Sequence, residues 1–549
     1  MSKNIEKTPK PKITRDHRIL AKNSLYSFLN SYGSFFFSLV TSFLLARLIS
    51  KELWGFLIIT LSYIAIFNII SSFFPPGLDA TLNYHIPRYL ALKEYNNLRA
   101  FIKYSIFSKL LFLIPIFLLS LFLFEFFSQI FAITLNDYTN LLIILSPLII
   151  ILSLDRIFAS IFRGLNMFNI LFLLLIIKYG FNIGALIYCS FFFKPLEIEF
   201  IAYIDLLAFF IPFLLSCLIV LIKYFQIQQS NEKEVNFRSF IQKSLNYGGP
   251  IRLGRFFTLM WSEVQTQSIA ILTSTELVTG LNISKHYTGV SSSMTLTFSN
   301  PLLVSFSGLH AKENFKQINK LYDLILTYSL LFLTSLTGLL LFFTDFFLFF
   351  VYGESYLIYS NLLKLMLFTI IFLGIGTSFE ALILSSGKVK IMLIYRITAF
   401  LIRVPVFLLL LIYFGLLWSI FGIIMSNFVI SIVALVLSIK IGKIKLNLFK
   451  LLSIFLAFFI ALGIVWILEI LIINKVNLLI LERLNLLFFS ELNLLSICLF
   501  ILTFLCLIIV FKVFTTKDIE YIEAFFNKST VTHIFIRKCM NILKKIVRD

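Results

Sequence analysis

Apolar stretches of about twenty residues recur along nearly the whole chain, and roughly fourteen of them are long enough to cross a bilayer as helices. Ser105 to Phe124, Leu141 to Phe162, Leu324 to Phe343 and Leu494 to Phe511 are examples that carry few charges. Backbone polar groups in hydrocarbon must be paired within their own segment or around a closed barrel, and continuous runs of this length predict helices. Of the 549 residues, 59% are hydrophobic, 66 are Phe and only 13% are charged, so in water the chain would be an insoluble globule. Lipid has to solvate most of the side chains. The expected fold class is an all-α polytopic membrane protein.

The formal charge is +20, and its distribution argues for topology rather than for a nucleic-acid surface. Basic residues gather in every second connection: Lys7 to Lys22, Arg88 to Lys103, Arg156 and Arg163, Lys223 to Lys243, Lys312 to Lys320, Lys388 and Lys390, Lys440 to Lys450, and the tail from Lys512 to Arg548. The opposite connections hold only Arg47, Lys51, Lys194, Lys475 and Arg483, with acidic neighbours such as Glu52, Glu197 and Glu482. By the positive-inside rule this predicts both termini in the cytoplasm, an even number of spans and contact with anionic lipid at the cell membrane. The basic start lacks the short apolar core and small-residue cleavage site of a removed signal peptide. Five cysteines without a C-x-x-C pair suggest neither a disulfide framework nor a metal site.

Spans are expected at roughly 23–46, 53–74, 104–124, 139–162, 167–190, 200–223, 246–272, 281–305, 324–344, 359–383, 391–412, 418–439, 450–473 and 493–513. Grouped by their connections, they give a cytoplasmic N-tail at 1–22, a six-helix bundle at 23–223, a polar linker at 224–245 and a second six-helix bundle at 246–440. Two additional spans follow at 441–513, and 514–549 forms a basic amphipathic C-tail suited to the inner leaflet or to a partner helix. Lys22-Asn-Ser-Leu-Tyr26 and Lys243-Ser-Leu-Asn-Tyr-Gly248 open the two bundles alike, and Arg163-Gly164 and Ser386-Gly387-Lys388 close their fourth spans alike. Equal span counts with these matches point to pseudo-symmetric halves.

Charges within spans are costly and usually face a bundle interior or a wet cavity. In the seventh span Arg252, Arg255 and Glu263 fall within about 80 degrees of one another over a rise of roughly 16 Å. The two guanidinium forks suit an anionic group such as a diphosphate. Alternatively, both arginines snorkel to lipid phosphates and Glu263 pairs with a neighbouring helix. Arg396 and Arg403, seven residues apart, share a face of the eleventh span, while Lys178 and Lys364 stand alone at depth. Asp205 and Glu380 are candidate coupling-ion ligands, and His286 titrates in a range suited to proton coupling or else sits at the outer interface. Asp79, following Pro75-Pro76-Gly77, marks the inner end of the second span, where the prolines terminate the helix. Asp155-Arg156 reads as a local interfacial pair.

No phosphate-binding loop, H-E-x-x-H or G-x-S-x-G motif occurs, and the outer connections are too short for a catalytic domain. No catalytic residue, metal or cofactor is assigned. Transport without hydrolysis by this chain is expected.

The order of landmarks resembles the polysaccharide and oligosaccharide flippases, in the superfamily that also contains multidrug and toxin exporters and lipid II flippases. The resemblance rests on Ala46-Arg47 with Trp54-Gly55, then Gly77-Leu-Asp79-Ala80 with Arg88-Tyr89, and Pro301-Leu-Leu-Val-Ser305 into His310-Ala-Lys-Glu-Asn-Phe315. It continues through Val351-Tyr-Gly353, Ser385-Ser-Gly387-Lys388 and Tyr413-Phe-Gly415 to Gly422, where bulky Trp418, Ile420 and Phe421 depart from the family's small residues. The resemblance implies a flippase that carries a lipid-linked oligosaccharide to the outer leaflet by alternating access of two bundles. Arg255 with Arg252 would meet the diphosphate, and Arg47, Arg396 and Arg403 are further candidates. A monomer, membrane lipids and Na+ or H+ as coupling ion complete that expectation. A multidrug exporter of the same superfamily is the alternative, although basic intramembrane charges favour an anionic cargo. A polytopic glycosyltransferase or polymerase is the second rival.

Overall fold

The computed structural model describes residues 15–130, 139–192, 197–227, 235–311, 313–442, 444–473 and 494–513. Within them the chain is helical, with no extended pairing beyond an isolated bridge between Phe73 and Pro76. Eleven helical segments are long and apolar enough to cross a membrane. Leu495–Val510 is apolar but shorter, and the more polar helices Gly249–Leu272 and Thr275–Ala311 are not among the eleven, so the described residues do not confirm fourteen spans. The amphipathic C-tail and most of the basic N-tail lie outside the described residues.

The chain divides into two compact units, Met1–Phe256 and Phe257–Asp549. In the first, α1 (Arg15–Leu48) packs along α7 (Phe168–Phe192), which in turn contacts α8 (Ile198–Gln226). Helices α2 (Lys51–Ser71), α3 (Leu78–Leu92), α4 (Tyr95–Ile130), α5 (Thr139–Leu145) and α6 (Leu148–Gly164) form the rest of the bundle. The short α9 (Phe237–Lys243) and a π-helical turn, Ser244–Gly248, lead into α10 (Gly249–Leu272), inside which the division into units falls.

Pro75 and Pro76 do end α2, as the sequence predicts, but the helix resumes at once. Gly77, at φ 64°, occupies the left-handed region that a glycine enters without strain and turns the chain into the 15 residues of α3. That helix packs along α6 and α4. Its Ile86 fits over Gly164, where a side chain on Gly164 would stand 2.7 Å from Ile86 Cβ. The close fit is why α3 lies beside α6 rather than leaving the bundle.

The second unit contains α11 (Thr275–Ala311), α12 (Phe315–Phe347), α13 (Ser360–Ile371), α14 (Leu373–Ser385), α15 (Val389–Phe414), α16 (Leu416–Gly442), α17 (Leu448–Leu468) and α18 (Leu494–Val510). Its core joins Tyr322, Leu326, Phe379, Phe458 and Phe500, and the Tyr322 hydroxyl is paired with Ser438 Oγ at 2.8 Å. Outside these cores the apolar side chains point outward: Phe122 is 80% and Phe191 79% exposed. Such surfaces are stable only against acyl chains.

Candidate functional site

The break between α2 and α3 leaves a small, partly open recess in the first unit, lined by Asn68, Ser72, Asp79, Lys109, Arg156 and Arg252 among others. Arg156 lies eight residues before the end of α6, and Lys109 fourteen residues into α4. At 1.5 Å per residue these positions are about 12 Å and about 21 Å from the respective helix ends. The recess is thus level with the interior of two long apolar helices, where water cannot readily satisfy charge.

Two helix ends meet there. The carbonyl of Ser71, in the last turn of α2, accepts a 2.5 Å hydrogen bond from Lys109 Nζ, which also donates to Ser71 Oγ at 3.2 Å. A cation at a helix C-terminus is favourably placed against the macrodipole. Ser72 Oγ accepts from Arg252 Nη2. Ser153 Oγ donates to Asn68 Oδ1 at 2.9 Å and is paired with Ser71 Oγ at 2.6 Å. On the other side of the break, α3 begins without a side-chain cap and carries Asp79 in its first turn. The N-terminus of a helix favours negative charge.

The charge balance is cationic. Lys109, Arg156 and Arg252 line the recess against the single carboxylate of Asp79, and that carboxylate is already engaged by Arg255 at 3.4 Å. Arg252 and Asn68 are only 4% and 1% exposed, yet Arg252 Nε and Asn68 Nδ2 have no hydrogen-bond partner among the described residues. An unpaired buried donor costs about 1–3 kcal/mol, and more when the group is charged. The oxygens of an anion would satisfy such donors.

Arg252, predicted from sequence, thus lines the recess. Arg255 does not, being exposed and paired with Asp79 at its edge. Arg47 is exposed with its guanidinium over the Phe43 ring at 5.3 Å. Asp205 accepts 2.7 Å from Asn182 Nδ2, whose Oδ1 accepts from Thr41. In the second unit Arg396 is held by Glu380 through contacts of 3.2 and 3.4 Å, and Arg403 donates to Asn427 at 2.9 Å. Glu263 is half-buried on α10, and His286 is half-buried on α11 beside Lys285, whose Nζ donates to Ser262 and Thr266. Lys364 is paired with Asp345 at 2.6 Å, and Lys178 stands 3.6 Å over the Phe209 ring.

Lys109, Asn68 and Arg156 were not singled out as site residues from sequence. For Lys109 the available signal is a single ammonium inside an otherwise apolar run; for Arg156 it is distance from the end of its helix. Asn68 and its serine partners carry no such signal.

His85 lies on α3 one residue before Ile86, level with the end of α6, and contacts the rings of Tyr84, Tyr89 and Phe101. Burial, then the nearby charges of Lys243 and Arg88, lower its pKa from 6.5 to about 4. Between those values the unfolded chain binds a proton that the folded chain does not, so stability falls as pH drops from about 6.5 to about 4 and this contribution is flat outside the window. Thermal unfolding of purified protein across this range is expected to be steeper for the wild type than for His85→Gln. Identical profiles would refute the assignment.

A family profile described as polysaccharide biosynthesis protein matches residues 20–302, a little over half of the chain. No curated protein matches the sequence. Among solved structures, the lipid II flippase MurJ in an inward closed conformation is 17% identical, with 89% of this chain and 98% of that one covered and a TM-score of 0.60. An inward-facing multidrug resistance transporter of the MATE family, in the MOP superfamily, is 15% identical over 73% of this chain and 93% of its own, with a TM-score of 0.60. A Vibrio cholerae MATE transporter is 15% identical over 78% and 97%, with a TM-score of 0.55. These likenesses establish the fold of a multi-pass membrane protein. With the profile match spanning more than half its length, the chain belongs to the polysaccharide biosynthesis protein family.

Proposed function

We propose that the protein is a flippase, moving a polyprenyl-diphosphate-linked oligosaccharide or polysaccharide repeat unit from the inner to the outer leaflet. The observation that carries this reading is the recess at the α2–α3 break, where Lys109, Arg156 and Arg252 face one carboxylate and two buried donors lack partners among the described residues. A diphosphate supplies the missing charge and oxygens, whereas an organic cation would meet repulsion. Family membership and the likeness to a lipid II flippase support a sugar-lipid cargo.

In this proposal transport proceeds by alternating access of two six-helix halves joined at 224–245, with two additional C-terminal spans and both termini cytoplasmic. A monomer in the cell membrane suffices, and no catalytic step is assigned. Asp205, Glu380 and His286 are retained as candidate groups for Na+ or H+ coupling, and Arg47, Glu263, Arg396 and Arg403 as further substrate contacts. The likeness to multidrug transporters gives the competing reading, an organic-cation exporter. Vesicles containing the purified protein separate the two. Exposure of a fluorescent polyprenyl diphosphate N-acetylglucosamine on the far leaflet, without uptake of ethidium, is the expected outcome. Ethidium uptake without sugar-lipid movement would overturn it.

A further inference from the structure

Below the recess, α3 and the segment entering α10 run antiparallel as a seam within the first unit. From its inner end upward, Lys243 Nζ donates to the Tyr89 hydroxyl at 2.9 Å, Tyr247 stacks on Tyr84 with centroids 4.5 Å apart and planes at 25°, and Gly248 meets Gly77 backbone to backbone. Arg252 then reaches Ser72 at the recess. The backbone contact at Gly77 and Gly248 brings the two elements close enough for the tyrosine rings below it to stack.

That tyrosine pair differs from its surroundings. Tyr84 is 46% and Tyr247 40% exposed, although the chain holds 66 Phe against 22 Tyr. The exposed positions near the pair mix the hydrogen-bonding side chains of Asn83, Arg88 and Asn246 with Leu90, Leu92 and Leu245. His85 braces Tyr84 edge-on at 5.0 Å and stacks on Tyr89 at 5.7 Å, fixing the ring from behind. The outer faces of the stacked pair, beside Asn83, Asn246 and Arg88, match the alternation of C–H and hydroxyl surfaces on a pyranose ring. Tyr84 follows Asp79 by five residues, so the platform lies about 8 Å along α3 from the first turn that opens on the recess. The two positions are also about 140 degrees apart around the helix, so a glycan on a diphosphate held there reaches the rings by curving around α3.

We infer that Tyr84 and Tyr247 form a sugar-binding platform that takes the glycan of the lipid-linked substrate while the recess holds its diphosphate. The inference rests on the flippase reading above and adds to it a subsite that discriminates glycan-bearing lipid from bare carrier. The recess contributes affinity common to both; the platform contributes only when a sugar is present.

The test compares two probes on the purified full chain: polyprenyl diphosphate N-acetylglucosamine and the same polyprenyl diphosphate without sugar. Wild-type protein is expected to bind the sugar-bearing probe more tightly. Tyr84→Ala and Tyr247→Ala should each weaken that probe by roughly tenfold and leave the sugar-free probe unchanged, which also shows that the variants are folded. Tyr84→Phe and Tyr247→Phe should restore most of the preference, because the ring face is kept. Equal weakening of both probes, as expected of tyrosines that only anchor the protein at the interface, would overturn the platform, as would no preference in the wild type. Binding of neither probe by the wild type would instead overturn the flippase reading on which it rests.

Discussion

Arg252→Gln is expected to lower lipid-linked sugar transport by about ten- to hundredfold with the protein still inserted in the membrane. The side chain is 4% exposed, anchors on Ser72 and leaves Nε without a partner among the described residues. Glutamine retains a donor for Ser72 but removes the charge and the second donor direction. Arg252→Lys keeps the charge while losing the planar fork, so intermediate activity is expected. Arg255→Ala should act differently: it releases Asp79 from an exposed pair, and a freed carboxylate at the recess edge weakens anion binding without removing a ligand. Transport at equal amounts of inserted protein distinguishes these effects. Full activity of Arg252→Gln would remove the recess from the mechanism.

The second large effect is structural. A Cβ on Gly248 would stand 2.4 Å from the carbonyl oxygen of Gly77, and one on Gly77 would stand 2.2 Å from the carbonyl oxygen of Gly248. Backbone cannot rotate away as a side chain can, so Gly248→Val is expected to cost about 3 kcal/mol or more. Gly77→Val adds the strain of a β-branched residue at positive φ. Both variants should give low yields of monodisperse protein and a lower unfolding temperature. Gly249→Val, one residue along, is the control: a Cβ there meets nothing within 4 Å. Equal behaviour of Gly248→Val and Gly249→Val would refute the close contact of α3 with the segment leading into α10.

The polytopic helical class was legible because membrane solvation demands long apolar runs, and α4, α8 and α16 carry them openly. Arg252 was legible because it shares a face with Arg255 in a stretch long enough to span the membrane, where a charge requires an explanation. Lys109 is not legible in the sequence because one lysine barely changes the apolar character of α4. Its significance lies in reaching Ser71 on another helix, a tertiary contact that no local pattern encodes. Likewise Pro75-Pro76-Gly77 reads as a stop in any single chain. The restart as α3 depends on Ile86 seating against Gly164, residues 78 positions apart. The pairing of Arg396 with Glu380 is equally absent from any local pattern, since the two lie sixteen residues apart on different helices. Periodicity identifies which residues are costly to bury; packing decides which costs are offset by a partner and which are left open for a ligand.

The most direct measurement of the central claim is competition binding to purified protein with three compounds: polyprenyl diphosphate N-acetylglucosamine, the same sugar joined to polyprenol without phosphate, and an organic cation. A cationic recess at the α2–α3 break predicts that only the diphosphate compound competes strongly, with affinity falling as salt rises and largely lost in Arg252→Gln. Equal binding of the phosphate-free sugar lipid, or preferential binding of the cation, would contradict it.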